Sequence, residues 1–557
     1  MPKQGDSGMI MDPSDEIASA GNRHERPDDS CSRGNLEQLP EGLMMPDAYP
    51  HQVDAVTRQE THISWLFFAG DRVYKVKKPV DLGFLDFTTT ELRKYFCEEE
   101  VRLNQRFPGG VHLGVVPVVR RPNGSIKIGG PGPLVDWAVA MRQLPARRML
   151  DRLLERGEVD NGLLDRLVDV LVPFHAAAAT GVGVDAYGTP DAIARLARDN
   201  IESLASRTGP AGVMSPALHG LLARELERSL GELRPVFAWR VEEGRVREGH
   251  GDLHSGNICY ESDGPVLYDC IEFSRALRCC DVAADIAFLA MDLDARGYLG
   301  FSQYLLRRYL DRSEDAGISA VIGFYKSYRA LVRAKVAALR LDEPALGSEE
   351  REEARREGAR YARLAGSYAV APALVLTCGL PGSGKSWLAS RIDVPHDARV
   401  LRSDVVRKRL AGIPPSTRVD SELESGLYTP DVKARTYAEL LRDSESYLRA
   451  GRSVIVDAAF MRREERQPFM DLARDSGVSV AVLWVDAADA VVRERLLRRA
   501  DDPNEASDAD EHVYDWARKV FEPPTEIDVR SVVLADGCES PEQVSANVLD
   551  CLASESR

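Results

Sequence analysis

The stretch Gly379-Leu-Pro-Gly-Ser-Gly-Lys-Ser386 constrains this 557-residue chain more than any other. It matches Gly-x4-Gly-Lys-Ser in full, follows the apolar run Leu374–Cys378, and opens a helical pattern at Ser386. Strand, glycine-rich turn and helix in that order are the context a phosphate-binding loop needs. Gly379, Gly382 and Gly384 let the backbone turn so that successive N–H groups, that of Ser383 included, wrap phosphate oxygens. The helix N-terminus adds partial positive charge. Lys385 is expected on the terminal phosphates and the Ser386 hydroxyl on Mg²⁺. Downstream, Val400–Arg402, Val454–Val456, Val480–Val485 and Val532–Leu534 read as strands with helical stretches between them. That alternation predicts an α/β unit with a parallel sheet.

A chain of this length exceeds one hydrophobic core, so two or three domains are expected. Its formal net charge of -16 opposes a broad nucleic-acid or anionic-membrane surface, and a nucleic-acid partner is not expected. No apolar run is long enough to span a membrane, and the first residues lack the pattern of a secretory signal. The nine cysteines are scattered without metal-site spacing, which points to free thiols in the cytoplasm. Residues 1–45 mix Asp, Glu, Ser, Gly and Pro with few aliphatics and read as a disordered tail. No internal repeat is present.

Between 46 and 341 the texture runs from strands to helices. Thr61–Phe68 and Val73–Lys78 read as a hairpin, Thr89–Phe107 as a helix, and Val115–Val119 and Ala138–Leu144 as further strands. After Pro145 the pattern is helical, which predicts a small β-rich lobe followed by an α-rich one. Residues 342–370 are charge-rich; Glu352 four residues before Arg356 reads as a solvated connector helix. The α/β unit then occupies 371–557.

The informative stretch of the first half is His250-Gly-Asp-Leu-His-Ser-Gly-Asn257. Asp252 and Asn257 have the Asp-x4-Asn spacing of a kinase catalytic loop, an Asp for the acceptor proton and an Asn for magnesium. Ile258–Tyr260 and Val266–Tyr268 read as strands about an Asp263-Gly264 turn. A hairpin folded about position 263 sets Asn257 opposite Asp269, two hard oxygen ligands suited to Mg²⁺. An ordinary turn before a hairpin is the plainer reading of His-Gly-Asp alone.

His250–Asn257 and Tyr268-Asp-Cys-Ile-Glu-Phe273 resemble the signature loops of aminoglycoside phosphotransferase and choline kinase relatives, which share the protein-kinase fold. The resemblance spans roughly residues 50–340. It implies Asp252 as catalytic base, Asn257 and Asp269 as Mg²⁺ ligands, and Asp281 as the family's later, structural Asp. It also implies a strand lysine on the α- and β-phosphates of ATP, held by a helix glutamate. Strand alternation puts Lys75 and Lys77 on one face and Lys78 on the other; Lys75 is favoured, with Lys77 close behind. Their partner is expected from Glu98-Glu99-Glu100, with Glu99 and Glu100 both beside the Leu103 face. A solvated edge strand is the alternative use of these lysines. No Gly-x-Gly-x-x-Gly precedes them, only Gly70. Met141–Pro145 falls at the adenine-hinge position, His175 reads as a packing histidine, and Glu272 assists the metal or caps a turn.

In the second half, Asp404 ends a strand with Arg407 three residues on, at the sheet edge where acceptors bind. Asp457 ends another strand and is expected to supply a carboxylate behind the Mg²⁺ and its direct ligands. Arg493, Arg495, Arg498 and Arg499 fall on a helix suited to a lid over phosphate, or to a solvated face. This half is similar to the P-loop kinases that include gluconate kinase, polynucleotide kinase, chloramphenicol phosphotransferase and zeta-toxin kinases. By that resemblance, over about 373–540, Asp404 deprotonates the acceptor and Arg407 holds it. The label of an AAA ATPase fits less well, because no ring-motor arginine finger is evident. Together the halves resemble bacterial fusions of a protein-kinase-like, bilobal α+β domain with an α/β P-loop NTPase domain. The expected activity is ATP- and Mg²⁺-dependent phosphotransfer to a hydroxyl of a small molecule. The alternatives are an ATP-sensing regulator and a nucleic-acid-end kinase in the C-terminal half.

Overall fold

The computed structural model describes residues 38–83, 85–343, 346–370, 372–414, 429–500 and 511–555. The chain forms two compact units, one from residues up to Arg195 with Glu232–Tyr325, the other from Leu196–Gly231 with Lys326–Arg557. This division differs from a break at 341–371, because residues 196–231 and 326–370 group with the α/β half.

The first unit opens on a six-stranded sheet. Its strands are β1 (Val56–Glu60), β2 (Ser64–Ala69), β3 (Arg72–Lys77), β4 (His112–Arg120), β5 (Ile126–Ile128) and β6 (Leu134–Arg142), in the order β1-β2-β3-β6-β4-β5. Every pairing is antiparallel. β1 escapes sequence reading because Thr57–Glu60 are all exposed and show no apolar alternation. Helix α1 (Thr90–Asn104) starts where the Thr89 hydroxyl accepts the Leu92 N–H. Tyr74 and Val76 point into one core cluster, and Val73 packs with Cys97 of α1 on the other face. Period two therefore sends Lys75 and Lys77 to the α1 side. The expected disordered tail ends too late: Leu39 and Leu43 are fully buried in the sheet's core cluster. Residues 1–37 lie outside the described residues.

Helices α2 (Asn161–Ala177), α3 (Pro190–Ala205) and α4 (Pro216–Glu242) follow, then β7 (Val246–Glu248), β8 (Ile258–Glu261), β9 (Gly264–Leu267) and β10 (Cys279–Asp281). Next come α5 (Val282–Ala295), α6 (Leu299–Ser313) and α7 (Ile318–Arg340). α5 is buried from Val282 to Leu293, and the two carboxylates inside that stretch, Asp285 and Asp292, both accept hydrogen bonds, as buried charges must. In the β8–β9 hairpin Ile258 pairs with Leu267 and Glu261 with Gly264. The turn is the two residues Ser262-Asp263, so the hairpin is centred between residues and not on one. Asn257 therefore faces Tyr268, whose N–H donates to its carbonyl, and Asp269 sits one residue beyond the expected register.

In the second unit α8 (Ser348–Ala369) is not the solvated connector its charges imply. Ala354, Gly358, Tyr361, Ala362, Ala365 and Gly366 form a buried face, while Glu352 pairs with Arg355 on the outside. Glycine is required for that packing: a Cβ at Gly358 would meet Val213 at 2.6 Å, and one at Gly366 would meet Leu549 at 2.9 Å. The α/β sheet contains β11 (Ala373–Cys378), β12 (Arg399–Arg402), β13 (Val454–Asp457), β14 (Ser479–Asp486) and β15 (Val532–Asp536). Their order is β12-β13-β11-β14-β15, with all pairings parallel. β11 is central and wholly buried, which explains its unbroken apolar run. Its carboxyl end delivers Gly379 to helix α9 (Lys385–Ala389); α10 (Ser403–Leu410) follows β12 and α11 (Pro430–Arg449) precedes β13. Beyond β13 lie α12 (Arg463–Ser476), α13 (Asp489–Ala500), α14 (Glu511–Val520) and α15 (Pro541–Glu555). Among the described residues every cysteine is a free thiol, and no single helix is long and apolar enough to cross a membrane.

Candidate active sites

In the first unit β3, α1 and the segment after β9 meet at a chain of alternating charges. Lys75 donates to Asp269 at 2.8 Å and lies 3.0 Å from Glu100. Lys77 donates to Glu100 at 2.8 Å and to Glu272. Burial favours the neutral form of Lys75, but Asp269 and Glu100 outweigh it and hold its ammonium well above the ordinary lysine range. Glu100, fully buried, is held well below the usual carboxylate range because Lys75 and Lys77 outweigh its desolvation. The helix partner of the lysines is thus Glu100. Glu99, one position round the helix, binds Arg102 at 2.8 Å and Arg278 at 3.2 Å instead. Lys78 points to the other face and pairs with Glu60.

Asp269 adopts a left-handed φ of 65°, a conformation Asp tolerates better than most residues. Its side chain is 42% exposed, while that of Lys75 is 10% exposed. In the preceding loop the Asn257 amide nitrogen donates to the Asp252 carbonyl at 3.0 Å and to its carboxylate at 3.3 Å. With its nitrogen so engaged, Asn257 offers its oxygen as a ligand. The His254 ring lies 3.5 Å from the Asp252 carboxylate, and the Ser255 N–H donates to Asp292 at 3.0 Å.

Sequence reading missed the residue that holds this loop. Asp285, on α5, accepts the backbone N–H of His250 at 2.6 Å and that of Gly251 at 2.9 Å. Asp281, to which the structural role was assigned, caps α5 at Ala283 and binds the buried Arg240 at 2.7 Å. The missed signal is in Asp281-Val-Ala-Ala-Asp285, where the second Asp lies one helical turn further on, inside the apolar run Val282–Met291. His175 packs where expected, bonded to the Tyr309 hydroxyl at 2.7 Å.

In the second unit Gly379, Gly382 and Gly384 have φ of 139°, 79° and 110°, backbone that glycine alone adopts freely. A Cβ at Gly382 would meet Val492 at 2.8 Å. Ser383 is 1% exposed. Its hydroxyl has no partner among the described residues, an orphaned polar atom inside the loop. Lys385 donates to the Leu380 carbonyl at 2.7 Å. Burial pushes the Asp457 carboxyl up, against the opposing pull of Ser386, Lys385 and Arg402. Asp404 is not the cap of α10: Arg402 takes that position, and Asp404 pairs with Arg407 at 2.7 Å. Arg495 donates to the carbonyls of Ser383 and Gly537, each at 3.0 Å, so it sits on the glycine-rich loop. Arg498 lies on the exposed face of α13 and pairs with Glu494 at 2.5 Å, and Arg493 pairs with Asp489 and Asp515. The Arg499 side chain lies outside the described residues.

An uncharacterized protein of Mycobacterium bovis is 32% identical to this chain over 455 residues, spanning 81% of the chain and 87% of the relative. The chain belongs to the family of that protein. An uncharacterized protein of Mycobacterium tuberculosis matches to the same extent. Residues 128–320 match the phosphotransferase enzyme family, and residues 374–524 match the family described as AAA domain. The GDP complex of wild-type aminoglycoside 2'-phosphotransferase-IIIa aligns at 15% identity and a TM-score of 0.37, covering 58% of this chain and 98% of that one. A gluconokinase from Sinorhizobium meliloti aligns at 20% identity and a TM-score of 0.24, covering 33% and 94%. The chain thus joins a kinase-like phosphotransferase domain to a P-loop kinase-like domain, two nucleotide-handling folds directed at phosphotransfer.

The residues of the first site fit a hard cation. Among the described residues no group of three or more His, Cys, Asp or Glu is arranged to hold a metal alone. Asn257 and Asp269 supply two oxygen donors, which suits magnesium, since it completes its shell with phosphate oxygens and water.

Proposed function

We propose that the kinase-like domain, residues 46–341, transfers the γ-phosphoryl group of ATP to a hydroxyl of a small molecule, with magnesium as its metal. The observation that carries this reading is the contact of Lys75 with both Asp269 and Glu100, beside a loop in which Asn257 holds Asp252. Lys75 engages the α- and β-phosphates, while Asn257 and Asp269 hold the metal. Magnesium bound there neutralises phosphate charge. Asp252 takes the proton of the acceptor hydroxyl; the acceptor oxygen bonds to the γ-phosphorus as the bond from that phosphorus to the β,γ-bridging oxygen breaks, and ADP leaves.

The P-loop domain, residues 371–557, is read as a second ATP site. Gly379, Gly382, Ser383 and Gly384 cradle the phosphates, and the orphaned Ser383 hydroxyl supports that role. Lys385 reaches the terminal phosphates, and Ser386 binds magnesium with Asp457 behind it. Asp404 takes the acceptor proton, Arg407 orients the acceptor, and Arg495 and Arg498 close over the phosphates. Free thiols at every cysteine among the described residues fit work in the cytoplasm.

The test is an acceptor screen on the intact chain, coupled to ADP release, over sugars, amino alcohols and aminoglycosides. Acceptor-dependent ADP release abolished by Asp252→Asn supports the reading. Turnover that survives Asp252→Asn and is lost in Asp404→Ser moves the chemistry to the P-loop domain.

A further inference from the structure

A phosphate-holding role needs one lysine, and β3 brings two to the same cluster. We propose that Lys77 is a positioning residue, committed to Glu100 and Glu272, which leaves Lys75 free to move from Asp269 to the phosphates of a bound nucleotide. The proposal rests on the nucleotide-binding reading of the kinase-like domain.

Exposure separates the two lysines. The side chain of Lys77 is 0% exposed and that of Lys75 is 10% exposed, next to an Asp269 that is 42% exposed. The Lys77 ammonium is enclosed by Glu100, Glu272 and the ring of Phe87, whose centroid is 5.0 Å away. Lys75 instead sits at the open end of the charge chain.

Glu100 divides its two oxygens between the lysines, Oε1 to Lys75 and Oε2 to Lys77. With Lys75 as its only ammonium, moving that lysine to a phosphate would leave a buried carboxylate with only the His112 ring beside it, 3.7 Å away, which is strongly unfavourable. With Lys77 in place Glu100 stays compensated throughout. Lys77 also ties down Glu272, three residues after Asp269, whose carbonyl accepts from Arg278 at 2.9 Å. The segment that carries Asp269 is thereby fixed to β3. Three carboxylates face two ammoniums, and the surplus negative charge falls at Asp269, where a cation and phosphates would arrive.

The experiment uses the full chain carrying Lys385→Ala, which silences the P-loop. A lysine-reactive acyl-phosphate analogue of ATP should label Lys75 and leave Lys77 unlabelled. In Lys77→Met/Glu272→Gln one positive and one negative group are removed together, so the fold is retained. Lys75 is then the sole ammonium beside Glu100, with the His112 ring 3.7 Å from the same carboxylate, and ATP affinity should fall about tenfold, the loss of one charge-assisted contact. A purely structural Lys77 would leave that affinity at the parent value. Label on Lys77, or parent-level ATP affinity in the double variant, overturns the proposal. Failure of the parent to bind ATP, with neither lysine labelled, overturns the nucleotide reading beneath it.

Discussion

The Asp285 carboxylate accepts the backbone N–H of His250 at 2.6 Å, and its other oxygen takes that of Gly251. One buried side chain on α5 thus sets the backbone that leads into Asp252. Asp285→Ala would leave two buried donors unsatisfied, a cost of about 1–3 kcal/mol each. The expected result is faster amide exchange at His250 and Gly251, with the exchange of β11 unchanged. Asp281→Ala should not loosen these two amides, because its partners are Arg240 and Ala283.

Acid should loosen the same loop through His250. Its Nε2 faces the Tyr268 carbonyl at 3.0 Å, and its Nδ1 faces the Asp252 N–H at 3.3 Å, which suits a neutral ring protonated on Nε2. Burial holds its pKa below the usual histidine value, against the pull of Asp285, Asp252 and Asp269. The unfolded chain therefore binds the proton first, and stability contributed by this group is lost as pH falls below about 6.5. Thermal melts from pH 8 to 5 should show the loss, and His250→Gln should flatten it.

Two nucleotide sites should titrate on the intact chain. Calorimetry with a non-hydrolysable ATP analogue and Mg²⁺ is expected to find both. Lys385→Ala should remove one and Lys75→Met the other. A single site on folded protein would contradict this.

Asp252→Asn should lower acceptor phosphorylation by about 10²–10⁴-fold, the usual contribution of a general base. ATP affinity should barely change, because the proposed role of Asp252 is on the acceptor and not on the nucleotide. Loss of ATP binding in this variant would make Asp252 structural.

Asp404→Ser tests the second site. Arg402, not Asp404, occupies the cap of α10, so the substitution removes no helix cap. Single-turnover transfer by the P-loop domain should fall by roughly 10²-fold or more with ATP affinity retained. Unchanged transfer would redirect the role to Asp457.

Both glycine-rich and acidic loops were legible in the sequence because their chemistry is contiguous. A phosphate is wrapped by successive N–H groups, so Gly379–Ser386 has to appear as one run, and Asp252 and Asn257 share one short loop. Alternating strands and helices likewise declared the parallel sheet, since period and burial are local consequences of the backbone. Choices among equivalent neighbours were not legible. Lys75 and Lys77 share a face, and the approach of Asp269 to the one and Glu272 to the other, 194 and 195 residues away, distinguishes them. Glu100 rather than Glu99, Asp285 rather than Asp281, and the buried face of α8 depend in the same way on partners distant in sequence. Spacing along the chain decides which side a residue takes, but an ion pair or a packed face exists only when a second segment arrives, and that arrival belongs to the tertiary structure.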